Sequence, residues 1–127
     1  TREEMLKKYN QIDIALDPFP YSGITTSFES VWMGVPLYVL NGNNFYSRTG
    51  ISINKNLGME DWIANNEKDY YIKILKLTSD FNQLSQTREC LINKVDSSTL
   101  FDSSLFADNF NKILWKIWEK FTPKSSY

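Results

Sequence analysis

Over residues 12–40 the chain first alternates and then runs continuously apolar. In IDIALD, Ile12, Ile14 and Leu16 alternate with Asp13 and Ala15, the period-two mark of a strand. Asp17-Pro18-Phe19-Pro20 stops it, because proline has no N–H to donate to a ladder. PLYVL is apolar without a break, as expected of a parallel strand covered on both faces. Between the two, Phe28, Val31 and Trp32 recur at helical spacing and predict a helix over about 26–33. Gly34 stands just past its end and Pro36 blocks continuation. Strand, helix and strand of these lengths make a βαβ unit.

The flanking patterns are helical. REEMLKKYN (2–10) predicts a short helix of mixed charge with Met5 and Leu6 on its buried side. NGNNFYS reads as a polar loop, followed by a helix around 47–56 that Gly58 ends, and MEDWIA supplies one further short strand or turn. From Glu67 the pattern is helical throughout. Tyr71, Ile74, Leu75 and Thr78 form one stripe, and Leu84, Leu91, Ile92 and Val95 a second. Phe106, Phe110, Ile113, Leu114, Ile117, Trp118 and Phe121 form the third and longest, which with Trp115 is expected to pack on the sheet or on a missing domain. VDSSTLFDSS reads as a loop and TPKSSY as a frayed tail. No repeat or linker divides the chain. Residues 1–127 read as one α/β domain, a short parallel sheet with a helical C-terminal half, whose lean sheet looks like part of a doubly wound fold.

Composition narrows the function classes. With 127 residues, 42% apolar and 15% aromatic, the chain holds one domain with a real core. Fourteen basic and 15 acidic residues give a net charge of −1, which excludes the basic surface that nucleic acid or an anionic membrane would need. The apolar runs are too short for a membrane span, and no signal-peptide pattern opens the chain. A single cysteine, Cys90, forms no internal disulfide and suits a reducing, cytoplasmic setting. The chain contains no histidine, so the commonest metal ligand and general base are missing, and no metal is expected.

The segment YSGITT lies at the carboxyl end of the first strand, where doubly wound sheets bind ligands. A helix start there offers unpaired N–H groups and a positive dipole end to an anion. Gly23 permits close approach, the Thr25 and Thr26 hydroxyls can donate to phosphate oxygens, and Glu29 follows one turn later. The same residues fit a capping box, in which Thr26 and Glu29 satisfy the helix amides themselves. Spacing leaves both readings open. Asp13 and Asp17 fall on one face of the first strand, with Asp17 a turn former, and Arg48 is a second-rank candidate for an anion or a salt bridge.

DIALDPFPYSGITTSFESVWMGVPLYVL, followed by SRTG and LGMEDWIA, resembles the C-terminal region of glycosyltransferase family 41, the tetratricopeptide-linked O-GlcNAc transferases and SPINDLY-like proteins. The similarity runs over residues 2–80 and more weakly through the last helix. It implies a GT-B fold, two Rossmann-like domains facing a cleft, with this chain a piece of the nucleotide-sugar-binding half. The implied reaction moves GlcNAc or a related sugar, from a UDP-linked donor or a GDP-linked one, to protein Ser or Thr hydroxyls without a required metal or other cofactor. On this resemblance Gly23, Ile24, Thr25 and Thr26 hold the diphosphate, Tyr21 and Ser22 lie near diphosphate and sugar, Glu29 contacts the ribose, and Arg2 and Met5 border base and ribose.

Two residues depart from the family pattern. Met5 stands where histidine is frequent, and Ile24 where histidine or glycine is, a β-branched residue that tolerates positive φ poorly. The acceptor-side domain, the repeats, the leaving-group lysine and any evident general base are absent, so the resemblance implies partners of a nucleotide-sugar and, in the full enzyme, an acceptor protein. The piece alone is expected to be inactive and to self-associate through the apolar surface its missing strands would cover. A degenerate protein-interaction domain and an unrelated flavodoxin-like phosphate-binding module are the alternative readings.

Overall fold

The continuous apolar run becomes the central strand of a three-stranded parallel sheet. β2 (Leu37–Leu40) lies between β1 (Ala15–Leu16) and β3 (Ile63–Ala64), with Ala15 opposite Leu37 and Val39 opposite Ile63. The computed structural model describes residues 1–122; beyond Thr122 the expected frayed tail lies outside the described residues. α2 (Thr25–Trp32) connects β1 to β2, completing the βαβ unit. α3 (Thr49–Asn56), α4 (Glu67–Thr78) and α5 (Phe81–Ser97) pack around the sheet, and Val31, Ile53, Leu84, Leu91 and Val95 join Tyr38 and Val39 in the core. Gly34 and Gly58, at φ 71° and 60°, end α2 and α3 in the left-handed conformation that glycine adopts without a Cβ penalty. MEDWIA supplies a short 3-10 turn, Glu60–Trp62, and then β3.

β1 is shorter than the predicted 12–17. It is the edge strand, and its outward face lacks a cover. Ala15 and Asp17 donate to the carbonyls of Pro36 and Tyr38, so the backbone groups of Ile14 and Leu16 point to the open edge. Leu16, predicted inward, is 59% exposed. α1 (Arg2–Lys8) is held by its own capping box between Thr1 and Glu4 and contains no buried residue, so the expected burial of Met5 and Leu6 fails. In α4, Ile74 of the predicted stripe is inward, joined by Tyr70 and Leu77, while Tyr71 and Leu75 face solvent. The α5 stripe stands, with Ile92 half-exposed against Gly34. The loop after α5 contains a 3-10 turn, Thr99–Phe101.

Of the two covers expected for the stripe of α6 (Ser103–Phe121), the sheet is not the one. None of its residues is buried, and its apolar stripe does not pack on the sheet. Among the described residues no helix is long and apolar enough to cross a membrane.

Candidate functional site

The carboxyl end of β1 runs into a loop whose Phe19–Pro20 peptide is cis and which leads to the start of α2. Asp17 organises this loop. It is 7% exposed, and its Oδ1 accepts from the Gly23 amide at 3.0 Å and from the Ser27 hydroxyl at 3.1 Å. The carboxylate also abuts the first turn of α3, where a Cβ on Gly50 would stand 2.6 Å from Oδ2. One buried anion thus lies between two helix starts, where the positive ends of both dipoles oppose it. Asp17 is therefore neither a simple turn former nor on a shared strand face with Asp13, which is exposed and lies 3.5 Å from Arg88.

The turn 21–26 is held from both sides. The amide of buried Ser22 donates to the Tyr46 carbonyl at 3.0 Å, and the exposed Tyr21 ring stacks on Tyr46 with centroids 5.9 Å apart. Gly23 is required by packing rather than by φ. A Cβ there would meet Ser27 Oγ at 2.5 Å and Thr26 Oγ1 at 2.8 Å. Ile24 occupies the N-cap position at φ −114°, and no residue other than glycine has positive φ among the described residues, so the conformational objection to Ile24 falls.

The capping-box reading also falls. The cap is Ile24, no side chain caps α2, and Thr26 and Glu29 lie inside the helix. The first main-chain bond of α2 runs from Phe28 N–H to the Ile24 carbonyl. The amides of Thr25, Thr26 and Ser27 precede it and have no partner within the helix. Thr25 and Thr26 are exposed beside them. This group of amides and hydroxyls at the carboxyl side of a parallel sheet suits an anion with several acceptor oxygens.

Glu29 sits one turn into α2, 9% exposed, and its Oε1 accepts from Arg2 Nη2 at 3.2 Å. The Tyr9 hydroxyl donates to the Thr26 carbonyl at 3.3 Å, and burial, with the Glu29 charge second, raises its pKa above the ordinary value. These two contacts tie α1 and the 3-10 turn that follows it, Tyr9–Gln11, to α2, and Met5, one turn from Arg2 on α1, is 41% exposed. Of the sequence-predicted residues, Gly23, Ile24, Thr25 and Thr26 form the helix start and Tyr21 and Ser22 its shoulder. Arg2 and Glu29 meet beside it as an ion pair. Arg48 is exposed at the start of α3 and forms no ion pair among the described residues. Sequence reasoning missed Ser27, Tyr9, Tyr46 and Gly50. Their roles depend on contacts between segments that no local spacing encodes.

The family model for glycosyl transferase family 41 matches residues 1–110. The chain is 35% identical over 116 residues to a probable UDP-N-acetylglucosamine–peptide N-acetylglucosaminyltransferase SPINDLY of Solanum lycopersicum, covering 91% of this chain and 12% of that protein. It is 25% identical over 120 residues to the UDP-N-acetylglucosamine–peptide N-acetylglucosaminyltransferase of Caenorhabditis elegans, covering 94% of this chain and 10% of that one. In three dimensions it resembles a Thermobaculum terrenum O-GlcNAc transferase mutant with a TM-score of 0.87 and 32% identity, over 94% of this chain and 23% of that one. The chain therefore spans about an eighth of the length of the curated relatives it matches, 12% for the first.

Proposed function

The chain belongs to glycosyltransferase family 41, and from that premise we propose that it is the donor-binding part of an enzyme that moves GlcNAc, or a related sugar, from a nucleotide-sugar to protein Ser or Thr hydroxyls. The observation that carries the reading is the uncapped start of α2, with exposed Thr25 and Thr26 at the carboxyl end of β1. The activity for which the relatives are named supports a UDP-linked donor and a protein acceptor. On this reading residues 1–127 are one unit of the nucleotide-sugar half. The amides of Ile24, Thr25 and Thr26 and the two threonine hydroxyls hold the diphosphate, with Gly23, whose own amide is held by Asp17, shaping the turn. Tyr21 and Ser22 border diphosphate and sugar, the Arg2–Glu29 pair lies at the ribose, and Met5 packs against the base.

The chemistry follows from the placement. As the sugar leaves, negative charge grows on the departing diphosphate, and fixed N–H dipoles already aimed at it stabilise that charge without reorganising. Two neutral hydroxyls add short donors on the same side. This reading assigns charge stabilisation to the turn itself and needs no metal there. No side chain of this chain is assigned as general base, so transfer requires the remainder of a longer polypeptide, and the piece alone is inactive. The uncovered edge of β1 supports self-association of the isolated piece.

Titration calorimetry of UDP, GDP and UDP-GlcNAc, on this chain and on a full-length polypeptide carrying it, tests the reading. UDP and UDP-GlcNAc are expected to bind, and Thr25→Ala/Thr26→Ala to weaken them roughly 10- to 100-fold by removing two hydroxyl contacts. Preference for GDP would change the base and keep the site. A full-length polypeptide that binds none of the three would overturn the proposal and return the domain to the protein-interaction reading.

A further inference from the structure

We propose that Tyr46 is a positioning residue of the donor site, holding the diphosphate turn in place through Tyr21 and Ser22, a role that rests on reading residues 24–26 as that turn. α2 begins without a side-chain cap, so the placement of its free amides depends on the residues just before it. Asp17 holds them through Gly23 and Ser27. Tyr46 supplies the second hold. Its carbonyl accepts from the Ser22 amide at 3.0 Å, and its ring lies 13° from parallel to that of Tyr21, with centroids 5.9 Å apart, an offset stack.

The loop that carries Tyr46 is anchored at both ends. It leaves β2 with the Asn41 amide donating to the Ala64 carbonyl at 2.8 Å and enters α3, where Ile53 and Asn54 are buried. Within it, Ser47 Oγ accepts from the Asn44 amide at 3.2 Å and donates to the Asn44 carbonyl at 2.9 Å, closing a short 3-10 turn, Phe45–Ser47. Gly42 has no room for a side chain. A Cβ there would collide with Ser47 Oγ and stand 3.4 Å from Phe19 Cε2, so the two loops also meet at that point. The Tyr46 hydroxyl accepts from Asn44 Nδ2 at 3.0 Å, which fixes the ring.

Tyr21 and Tyr46 remain 65% and 45% exposed, so neither is explained by the core. Their contact instead joins a fixed loop to the residues that lead into α2. Fixed dipoles stabilise a growing charge only where they are already in place. A turn released from Tyr46 would have to be ordered when the nucleotide binds, at the expense of affinity.

Calorimetry of UDP and UDP-GlcNAc on the full-length polypeptide reads this. Tyr46→Ala is expected to raise the Kd of both by the same factor, about three- to tenfold, with the urea midpoint of unfolding unchanged. Tyr46→Phe keeps the stack and is expected to bind within about twofold of the unaltered protein. Tyr21→Ala/Tyr46→Ala is expected to bind UDP no worse than Tyr21→Ala alone, because Tyr46 acts through Tyr21. Without nucleotide, hydrogen exchange at the Ser22 and Gly23 amides is expected to quicken about three- to tenfold in Tyr46→Ala, with α5 around Leu91 unchanged. Exchange that does not quicken, or UDP binding equal to that of the unaltered protein, overturns the proposal. So does a loss confined to UDP-GlcNAc, which would make Tyr46 a sugar contact. An unaltered polypeptide that binds neither ligand removes the donor site itself, a result distinct from nucleotide binding that is indifferent to Tyr46.

Discussion

Asp17→Ala is expected to lower the stability of the fold by about 2–4 kcal/mol, because it leaves the Gly23 amide and the buried Ser27 hydroxyl without their acceptor. The loss exceeds that of a surface hydrogen bond, since the Ser27 hydroxyl is buried, the Gly23 amide is partly so, and both bonds are to the carboxylate. Urea unfolding followed by circular dichroism checks it, and a change below about 1 kcal/mol would mean that the loop is held by other contacts. Asp17→Asn separates geometry from charge. An amide oxygen facing Gly23 and Ser27 keeps both acceptor contacts while removing the negative charge beneath the helix start. Asn is therefore expected to be less destabilising than Ala. On the proposed site it is expected to leave UDP affinity equal or raised, whereas Ala lowers it by releasing the turn.

Tyr38→Ala carries the other large effect. Tyr38 is fully buried in β2, packs against Trp62 and Tyr70, and donates its hydroxyl to the Tyr70 carbonyl at 2.8 Å. Truncation removes an aromatic ring from the centre of the sheet and is expected to destabilise by about 3–5 kcal/mol. The same residue sets an alkaline limit. Burial, with the Asp69 charge second, pushes its pKa from 10.0 up to about 12. The folded chain therefore holds this proton more tightly than the unfolded chain. The resulting stability is fully present below pH 10 and is lost as pH rises from about 10 to 12. Burial raises Tyr70 and Tyr9 in the same direction. Stability measured across that window is expected to fall, and Tyr38→Phe to fall less steeply; parallel curves would remove Tyr38 as the source.

What could be read from the sequence was what local chemistry decides. PLYVL as a covered strand, Gly34 and Gly58 as helix ends, and Leu84, Leu91 and Val95 as a buried face all follow from period and backbone freedom. Thr26 and Glu29 were ambiguous because a cap and an anion turn call for the same residue types. The position of the cap at Ile24 removes the capping reading, and Asp17 reaching across the loop holds the turn before it. In α4, Tyr70, Tyr71, Ile72, Ile74, Leu75 and Leu77 offer two apolar faces, and only contact with Tyr38 selects the one that begins at Tyr70. The α6 stripe is the clearest period in the chain, yet periodicity identifies an apolar face without identifying its cover.

The contact between Asp17 and Gly50 has a bearing on how this sequence can change over time. A Cβ at position 50 would meet the carboxylate at 2.6 Å and Val39 Cγ2 at 2.9 Å. A side chain at 50 is thus admissible only where position 17 carries a shorter residue and Val39 gives way, and shortening position 17 first releases the turn that carries Thr25 and Thr26. Neither single step is neutral. Across divergent homologues a side chain at position 50 is expected only together with a shorter residue at position 17, 33 residues away in the chain.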